Sequence, residues 1–357
     1  MVQRYYIETL GCPKNQVDSD KIAGKLIADG LVATEDASKA DVVVVNTCAF
    51  IEEARKESID TMLSLDDTRK RSSRLIVTGC MAERYGDELA EALPEADQVA
   101  GFGVPLQLTR KPIAVTGEIP KFDLLNLPRP KSTSPWAYVK IAEGCDRSCG
   151  FCAIPSFRGP QRSRDVASIL TEVEQLEVRE VVLIAQDLAS YGKDRPDELG
   201  AGSIVQLVRD VAAMADWVRL LYLYPSDLSD ELIDAILDTG VPYFDLSLQH
   251  ASKEHLRRMK RWGDGPRFLE RIARIRTLSP DAAFRSNFIV GYPGETEEDH
   301  DQLLSFVRDA QLDWCGFFAF SPEEGTHALT LPNRVEEGLM NERLAELREL
   351  QDNISAE

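Results

Sequence analysis

The chain has 357 residues, 43% of them hydrophobic and 28% charged, with a formal net charge of −19 at pH 7. That length and apolar share suffice for two sizeable cores and exclude a disordered or fibrous chain. No stretch approaches the roughly 20 apolar residues of a membrane span, the start Met1-Val2-Gln3-Arg4 lacks a signal-peptide pattern, and seven cysteines point to metal ligands in a reducing cytosol rather than a disulfide framework.

In chain order, the apolar, β-branched runs at 5–11, 42–47 and 75–79 read as buried parallel strands. Helical stretches at 18–29 and 52–65 separate them, so the segment is a β-α repeat. A cysteine follows each strand at once: Cys12, Cys48 and Cys80. Ligands of an open parallel sheet sit beyond the carboxyl ends of its strands, so the three thiols are expected to meet there and hold a metal cluster. Six of the 18 prolines fall between Pro105 and Pro135, which marks 105–135 as a linker between a domain at 1–104 and another at 136–333.

Past the linker, a strand at 137–141 leads into Cys145-x3-Cys149-x2-Cys152. Further strands are predicted at 181–185, 220–224, 243–248, 284–290 and 315–320, with amphipathic helices at 166–176, 204–214, 231–237 and 298–309. Six alternating strands suit an open, partial (β/α) barrel. Its carboxyl-end mouth would carry Cys145, Gln186, Pro225, Gln249, Gly291 and Ser321. Residues 291–295 read as a turn and helix start, and 334–357 as a C-terminal helical segment. Cys315, inside an apolar run, reads as a core thiol. His250, His255, His300 and His327 read as surface or hydrogen-bonding groups rather than ligands.

The Cys145, Cys149, Cys152 triplet carries the chemistry. A four-iron cluster normally takes one thiolate per iron, so three thiolates leave one iron open. An open metal position is where a substrate or cofactor binds. Zinc would want a fourth Cys or His nearby, and the nearest histidine is His250.

This triplet is the signature of the radical S-adenosylmethionine (SAM) enzymes, in which the open iron chelates the amino and carboxylate groups of SAM. The second triplet, Cys12, Cys48 and Cys80, is similar to the auxiliary-cluster domain of the methylthiotransferases, and the resemblance spans essentially the whole chain. It implies two 4Fe-4S clusters, with one SAM methylating sulfur held on the auxiliary cluster. A second SAM is cleaved to a deoxyadenosyl radical that removes hydrogen from an unactivated carbon, chemistry no side-chain base can do. Further implied SAM contacts are Gln186, Ser247 and Gln249, and Arg285 for the SAM carboxylate. An electron donor of flavodoxin or ferredoxin type and a sulfur donor are implied partners.

Two substrate branches exist, an aspartate of small-subunit ribosomal protein S-twelve and N6-isopentenyladenosine in tRNA. Leu10-Gly11-Cys12-Pro13-Lys14-Asn15, Gln186-Asp187 with Tyr191-Gly192, and residues 321–326 resemble the ribosomal-protein branch. Charge agrees. Residues 1–133 carry 17 Lys+Arg against 21 Asp+Glu, and the rest 24 against 39. An acidic barrel suits a basic protein better than tRNA phosphate. A two-cluster electron carrier is the reading from another class, and SAM binding separates it from an enzyme. The family continues into a small C-terminal β-barrel, which a chain ending after the helical stretch 334–353 is expected to lack.

Overall fold

The computed structural model describes residues 2–108, 123–200 and 202–356. Two compact units emerge. The first comprises 1–133 with 156–159 and 175–177, and the second the remainder.

In the first unit β1 (Arg4–Thr9), β2 (Val32–Ala33), β3 (Val42–Thr47), β4 (Arg74–Gly79) and β5 (Gln98–Ala100) form one parallel sheet in the order β2-β1-β3-β4-β5. Parallel neighbours need crossovers, and α1 (Pro13–Ala28), α2 (Glu52–Thr68) and α3 (Cys80–Ala92) supply them. Every residue of β3 is buried, so its Val42-Val43-Val44-Val45 run is continuous rather than alternating, as a strand covered on both faces requires. Tyr5, Ile22, Leu26, Val44, Ile76 and Leu124 share a core.

Helix α1 begins at Pro13, five residues before the predicted start, because Pro is pre-set for the first helical position. Its first turns gave no apolar period, since besides Val17 the residues they bury are the polar Lys14, Asn15, Asp18 and Ser19. Residues 125–129 of the proline-rich stretch lie on this helix: Lys21 Nζ donates to Leu125 O at 2.6 Å, and Arg129 pairs with Asp20 at 3.0 Å. Pro112 and Pro120 lie outside the described residues.

The second unit is the expected open half-barrel. β6 (Trp136–Lys140), β9 (Glu180–Ile184) and β10 (Trp217–Leu220) pair in parallel as β10-β9-β6, and β11 (Tyr243–Gln249), β12 (Ala283–Val290) and β13 (Trp314–Ala319) as β11-β12-β13. A bridge between Leu223 and Leu246 joins the two triplets of strands, with Leu223 N–H donating to Asp245 O and Ser247 N–H to Leu223 O, both at 2.9 Å. A small antiparallel pair, β7 (Ala142–Glu143) with β8 (Arg162–Ser163), flanks β6. The third strand spans 217–220 instead of the predicted 220–224: its ladder ends at Leu220, just before Tyr222 takes a left-handed φ of 66°, which lies outside the β region.

Helices α5 (Val166–Leu176), α7 (Ser203–Ala212), α8 (Asp230–Asp238), α10 (Gly265–Leu278) and α11 (Glu297–Ala310) cross between strands, with the short α4 (Ile154–Arg158), α6 (Pro196–Leu199) and α9 (Lys253–Arg258) in connections. The closing α12 (Glu337–Ala356) is fixed by Gln351 Nε2 donating to Leu312 O at 2.9 Å and by Arg343 bonding Glu295 at 3.0 Å and Glu297 at 2.9 Å. No helix among the described residues is long and apolar enough to cross a membrane.

Candidate metal centres

The first centre lies at the carboxyl edge of the N-terminal sheet. Strands β1, β3 and β4 are neighbours, with Thr9 opposite Asn46 and Thr47 opposite Gly79, so their ends are level. Cys12 caps α1, Cys48 follows β3 directly, and Cys80 opens α3. Two glycines permit this closeness. At Gly11, φ is 90° and a Cβ would stand 2.9 Å from Cys48 Sγ; at Gly79, φ is 92° and a Cβ would meet Asn46 Oδ1 at 2.3 Å. Both positions exclude a side chain on backbone and space together.

Asn15 organises the edge. Its Nδ2 donates to Leu10 O at 2.8 Å and Thr47 O at 2.9 Å, tying the β1 and β3 loops together, and its Oδ1 accepts from Arg158 Nη2 at 2.7 Å. Arg158 belongs by packing to this unit. It also donates to Cys80 Sγ at 3.1 Å and pairs with Asp18 at 3.3 Å. Burial pushes the Cys48 thiol up to about 11 and raises that of Cys80. Burial works the same way on Cys12, but the charges of Lys14 and Arg158 and backbone N–H donors outweigh it, and that thiol is lowered. Sequence reasoning gave no role to Asn15 or Arg158. Asn15 stood in the quoted motif, while nothing in the sequence tied Arg158 to Cys80.

The second centre follows β7, where Gly144 turns the chain at φ 80° into Cys145. Arg147 N–H points at Cys145 Sγ, 3.4 Å away, and Cys152 N–H bonds Cys149 O at 3.2 Å, so the triplet forms a compact loop. Gly150 seats it. Its N–H donates to Met259 O and its carbonyl accepts from Ala328 N–H, both at 2.8 Å, and a Cβ there would lie 2.5 Å from Tyr292 Oη. The Arg147 guanidinium bonds Asp187 at 2.6 Å and Ser190 Oγ at 3.0 Å, and also pairs with Asp227, so the end of β9 grips the loop. Burial raises Cys145 to about 11 and Cys152 to about 12. Such thiols hold their protons at neutral pH, and a metal must displace them.

The other predicted contacts divide. Gln186 lies just beyond β9, where its Nε2 donates to Glu143 Oε1 at 2.6 Å and its buried Oε1 has no partner among the described residues, an acceptor suited to an ammonium group. Ser247 and Gln249 occupy an irregularity in β11, and Gln249 has a φ of 73°. Arg285 is not brought to that edge. It is the third residue of β12, about 16 Å short of the strand's carboxyl end at 3.3 Å per residue, and its partner is Asp245 at 3.5 Å. The strand was located correctly, but its length sets Arg285 at the opposite end from Gln249. Cys315, on β13, is raised to about 12 by burial, as a core thiol would be.

Three histidines are buried and only His327 is exposed. His250, His255 and Glu295 come close enough to suggest a metal site, but the tautomers oppose it. His250 Nδ1 accepts from Ser252 N–H at 3.0 Å, and His255 Nδ1 from Arg258 Nη2, which can only donate, at 3.2 Å. Each neutral ring therefore carries its proton on Nε2 and has no lone pair there. His300 bonds Glu346 at 3.0 Å. Hydrogen bonding is the role of all three.

Three thiols at level strand ends, and three more in a loop seated by backbone bonds, fit the three-cysteine ligand sets of two iron-sulfur clusters, and the orphaned Gln186 oxygen fits a bound ammonium. Residues 4–101 match the Uncharacterized protein family UPF0004, and residues 139–307 the Radical SAM superfamily. The ribosomal protein uS12 methylthiotransferase RimO of Geobacter sulfurreducens is 44% identical over 368 residues, covering 97% of this chain and 81% of that protein. Its counterpart in Moorella thermoacetica is 42% identical over 374 residues, covering 99% and 84%. A radical SAM methyltransferase structure, TsrM from Kitasatospora setae, superposes with a TM-score of 0.61 at 12% identity over 98% of this chain and 91% of that one, a likeness of fold alone. With both halves matched and such identity over nearly its whole length, the chain belongs to the ribosomal protein uS12 methylthiotransferases of the radical SAM superfamily.

Proposed function

We propose that the protein adds a methylthio group to the β-carbon of an aspartate in ribosomal protein S-twelve, with Cys145, Cys149 and Cys152 holding the SAM-binding cluster and Cys12, Cys48 and Cys80 an auxiliary one. The observation that carries this reading is the pair of cysteine triplets, one at the carboxyl ends of β1, β3 and β4 and the other in the loop after β7, each in its own unit. When bound, the first cluster with SAM supplies the hydrogen-abstracting radical, and the second supplies a seat for sulfur. The chain's own residues position these groups. Gln186 offers its buried carbonyl oxygen to the SAM ammonium, and Ser247 and Gln249 present the irregular end of β11 to the ribose. Arg285 remains with Asp245 near the start of β12. Asn15 and Arg158 hold the auxiliary loops at fixed spacing.

Residues 1–104 form the auxiliary-cluster domain in this reading, 105–135 the linker, 136–333 the radical SAM core and 334–357 a supporting helix. A flavodoxin or ferredoxin donates electrons, a separate donor renews sulfur, and the reaction takes place in the cytoplasm, where the ribosome is. The substrate is supported by the names of the relatives and by the acidic second half, which repels phosphate and attracts a basic protein. Reduced enzyme with SAM is incubated with purified ribosomal protein and, separately, with tRNA lacking its methylthio group. A methylthio mass gain on the protein is expected; a gain on the tRNA alone would overturn the substrate.

A further inference from the structure

Two guanidinium groups meet the ring of Tyr224, the Cζ atoms of Arg147 and Arg261 each lying 3.9 Å from its centroid. Their other partners differ. Arg147 is neutralised by Asp187 and Asp227. Arg261 has no carboxylate at ion-pair distance among the described residues; its Nη1 lies 3.3 Å from Cys149 Sγ and its Nη2 donates to the Ser247 carbonyl. One side chain thus spans the cluster loop and the irregular end of β11. The backbone is shaped for it, because Lys260 takes a left-handed φ of 54°, turning the chain after α9 so that Arg261 N–H bonds Leu256 O at 2.8 Å. The same turn receives Gly150 N–H through Met259 O.

We infer that Arg261, steadied by the ring of Tyr224, is a positioning residue that donates a charged hydrogen bond to the Cys149 sulfur and thereby sets the reduction potential of the cluster held by Cys145, Cys149 and Cys152. A cation bonded to a ligand sulfur stabilises the reduced, more negative cluster and raises its potential. Tyr224 contributes through cation–π attraction, about 0.5–2 kcal/mol for a guanidinium over a ring face. Because the same guanidinium holds the Ser247 carbonyl, the sulfur contact and the ribose-facing strand end move as one. The inference rests on the proposed role of Cys149 as a cluster ligand.

The test uses the full chain with Cys12, Cys48 and Cys80 changed to Ala, reconstituted anaerobically so that one cluster remains, without SAM. Iron content and an EPR-monitored reductive titration are read for this parent and for Arg261→Gln, Arg261→Lys and Tyr224→Leu. If further change of Cys149 to Ala leaves the parent's iron untouched, the ligand assignment fails, separately from the inference. With it standing, Arg261→Gln is expected to keep its iron while the reduced-to-oxidised ratio at the parent's midpoint falls about tenfold, a shift of about 59 mV for a one-electron couple. Tyr224→Leu should move the same way by less, and Arg261→Lys should fall between parent and Gln. A parent-like midpoint in every variant that holds iron would overturn the inference, as would loss of iron from all three with an unchanged circular dichroism spectrum, since Arg261 would then only hold the loop.

Discussion

Gly79 shows how much of the first centre depends on single residues. It sits between β4 and Cys80 with a φ of 92°, and an added Cβ would meet Asn46 Oδ1 at 2.3 Å and the Thr47 backbone at 2.6 Å. Gly79→Ala is expected to cost more than about 3 kcal/mol, from the left-handed backbone together with forced movement of packed backbone. Gly30→Ala is the control, with a φ of 88° but open space around the Cβ, and should cost only about 1–2 kcal/mol. Denaturant midpoints decide; equal losses would mean that the strand ends are not tightly apposed. The two cysteine triplets are expected to divide by function. Changing Cys145, Cys149 and Cys152 to Ala should remove about half of roughly eight irons and all SAM cleavage. Changing Cys12, Cys48 and Cys80 should leave deoxyadenosine production measurable and abolish methylthio transfer. Product at the wild-type ratio to deoxyadenosine in the second variant would refute the auxiliary role.

Among the elements, the start of α11 carries the densest set of bonds. Thr296 and Asp299 form a reciprocal capping box, in which the Thr296 hydroxyl accepts from Asp299 N–H at 3.1 Å and Asp299 Oδ2 accepts from Thr296 N–H at 3.0 Å. Asp299 also accepts from Ser252 Oγ at 2.5 Å and Arg258 Nη2 at 2.7 Å, so one carboxylate joins the starts of α9 and α11. Burial would raise its pKa, but bonds from Ser252 and Thr296 bring it to about 2. Thr296→Ala should cost about 1 kcal/mol, as lost caps do. Asp299→Ala should cost about 3 kcal/mol or more, because it strands Arg258 and Ser252 as well. Thermal unfolding of the two variants gives the order; a smaller loss for Asp299→Ala would show that the network adds nothing to the cap.

At the scale of the whole molecule, acid sensitivity follows from the buried histidines. Burial lowers the His255 pKa to about 4 and that of His250 well below its usual value, against about 6.5 in the unfolded chain. A histidine kept neutral by the fold gives its full contribution above the unfolded pKa and loses it as pH falls toward the folded one. The melting temperature is therefore expected to fall between pH 6.5 and about 4. Burial raises Glu295 above its usual range, which acts in the opposite sense on the acid side. His250→Gln should flatten the profile over that window even if it lowers the melting temperature throughout, and an unchanged slope would rule out the histidines as its cause.

Periodicity and spacing alone determined much of this protein. The valine run of β3 read as a strand covered on both faces, the alternation of strands and helices after residue 136 suited the parallel half-barrel that is found, and three cysteines at C-x3-C-x2-C pointed to a candidate metal site. These signals are local, carried by residues a few positions apart. Other features were not legible, because they depend on which ends of distant segments meet. The polar first turns of α1 hid its start, since Asn15 and Lys14 are buried to serve the cysteine edge rather than an apolar core. A strand that hydrophobicity predicted through Tyr222 ends before it, and strand length set Arg285 far from the mouth. Arg261, 112 residues from Cys149, reaches its sulfur only because the left-handed turn at Lys260 and the seat of Gly150 bring them together. Composition and spacing single out the candidate cysteines, and only tertiary packing decides which charges surround them.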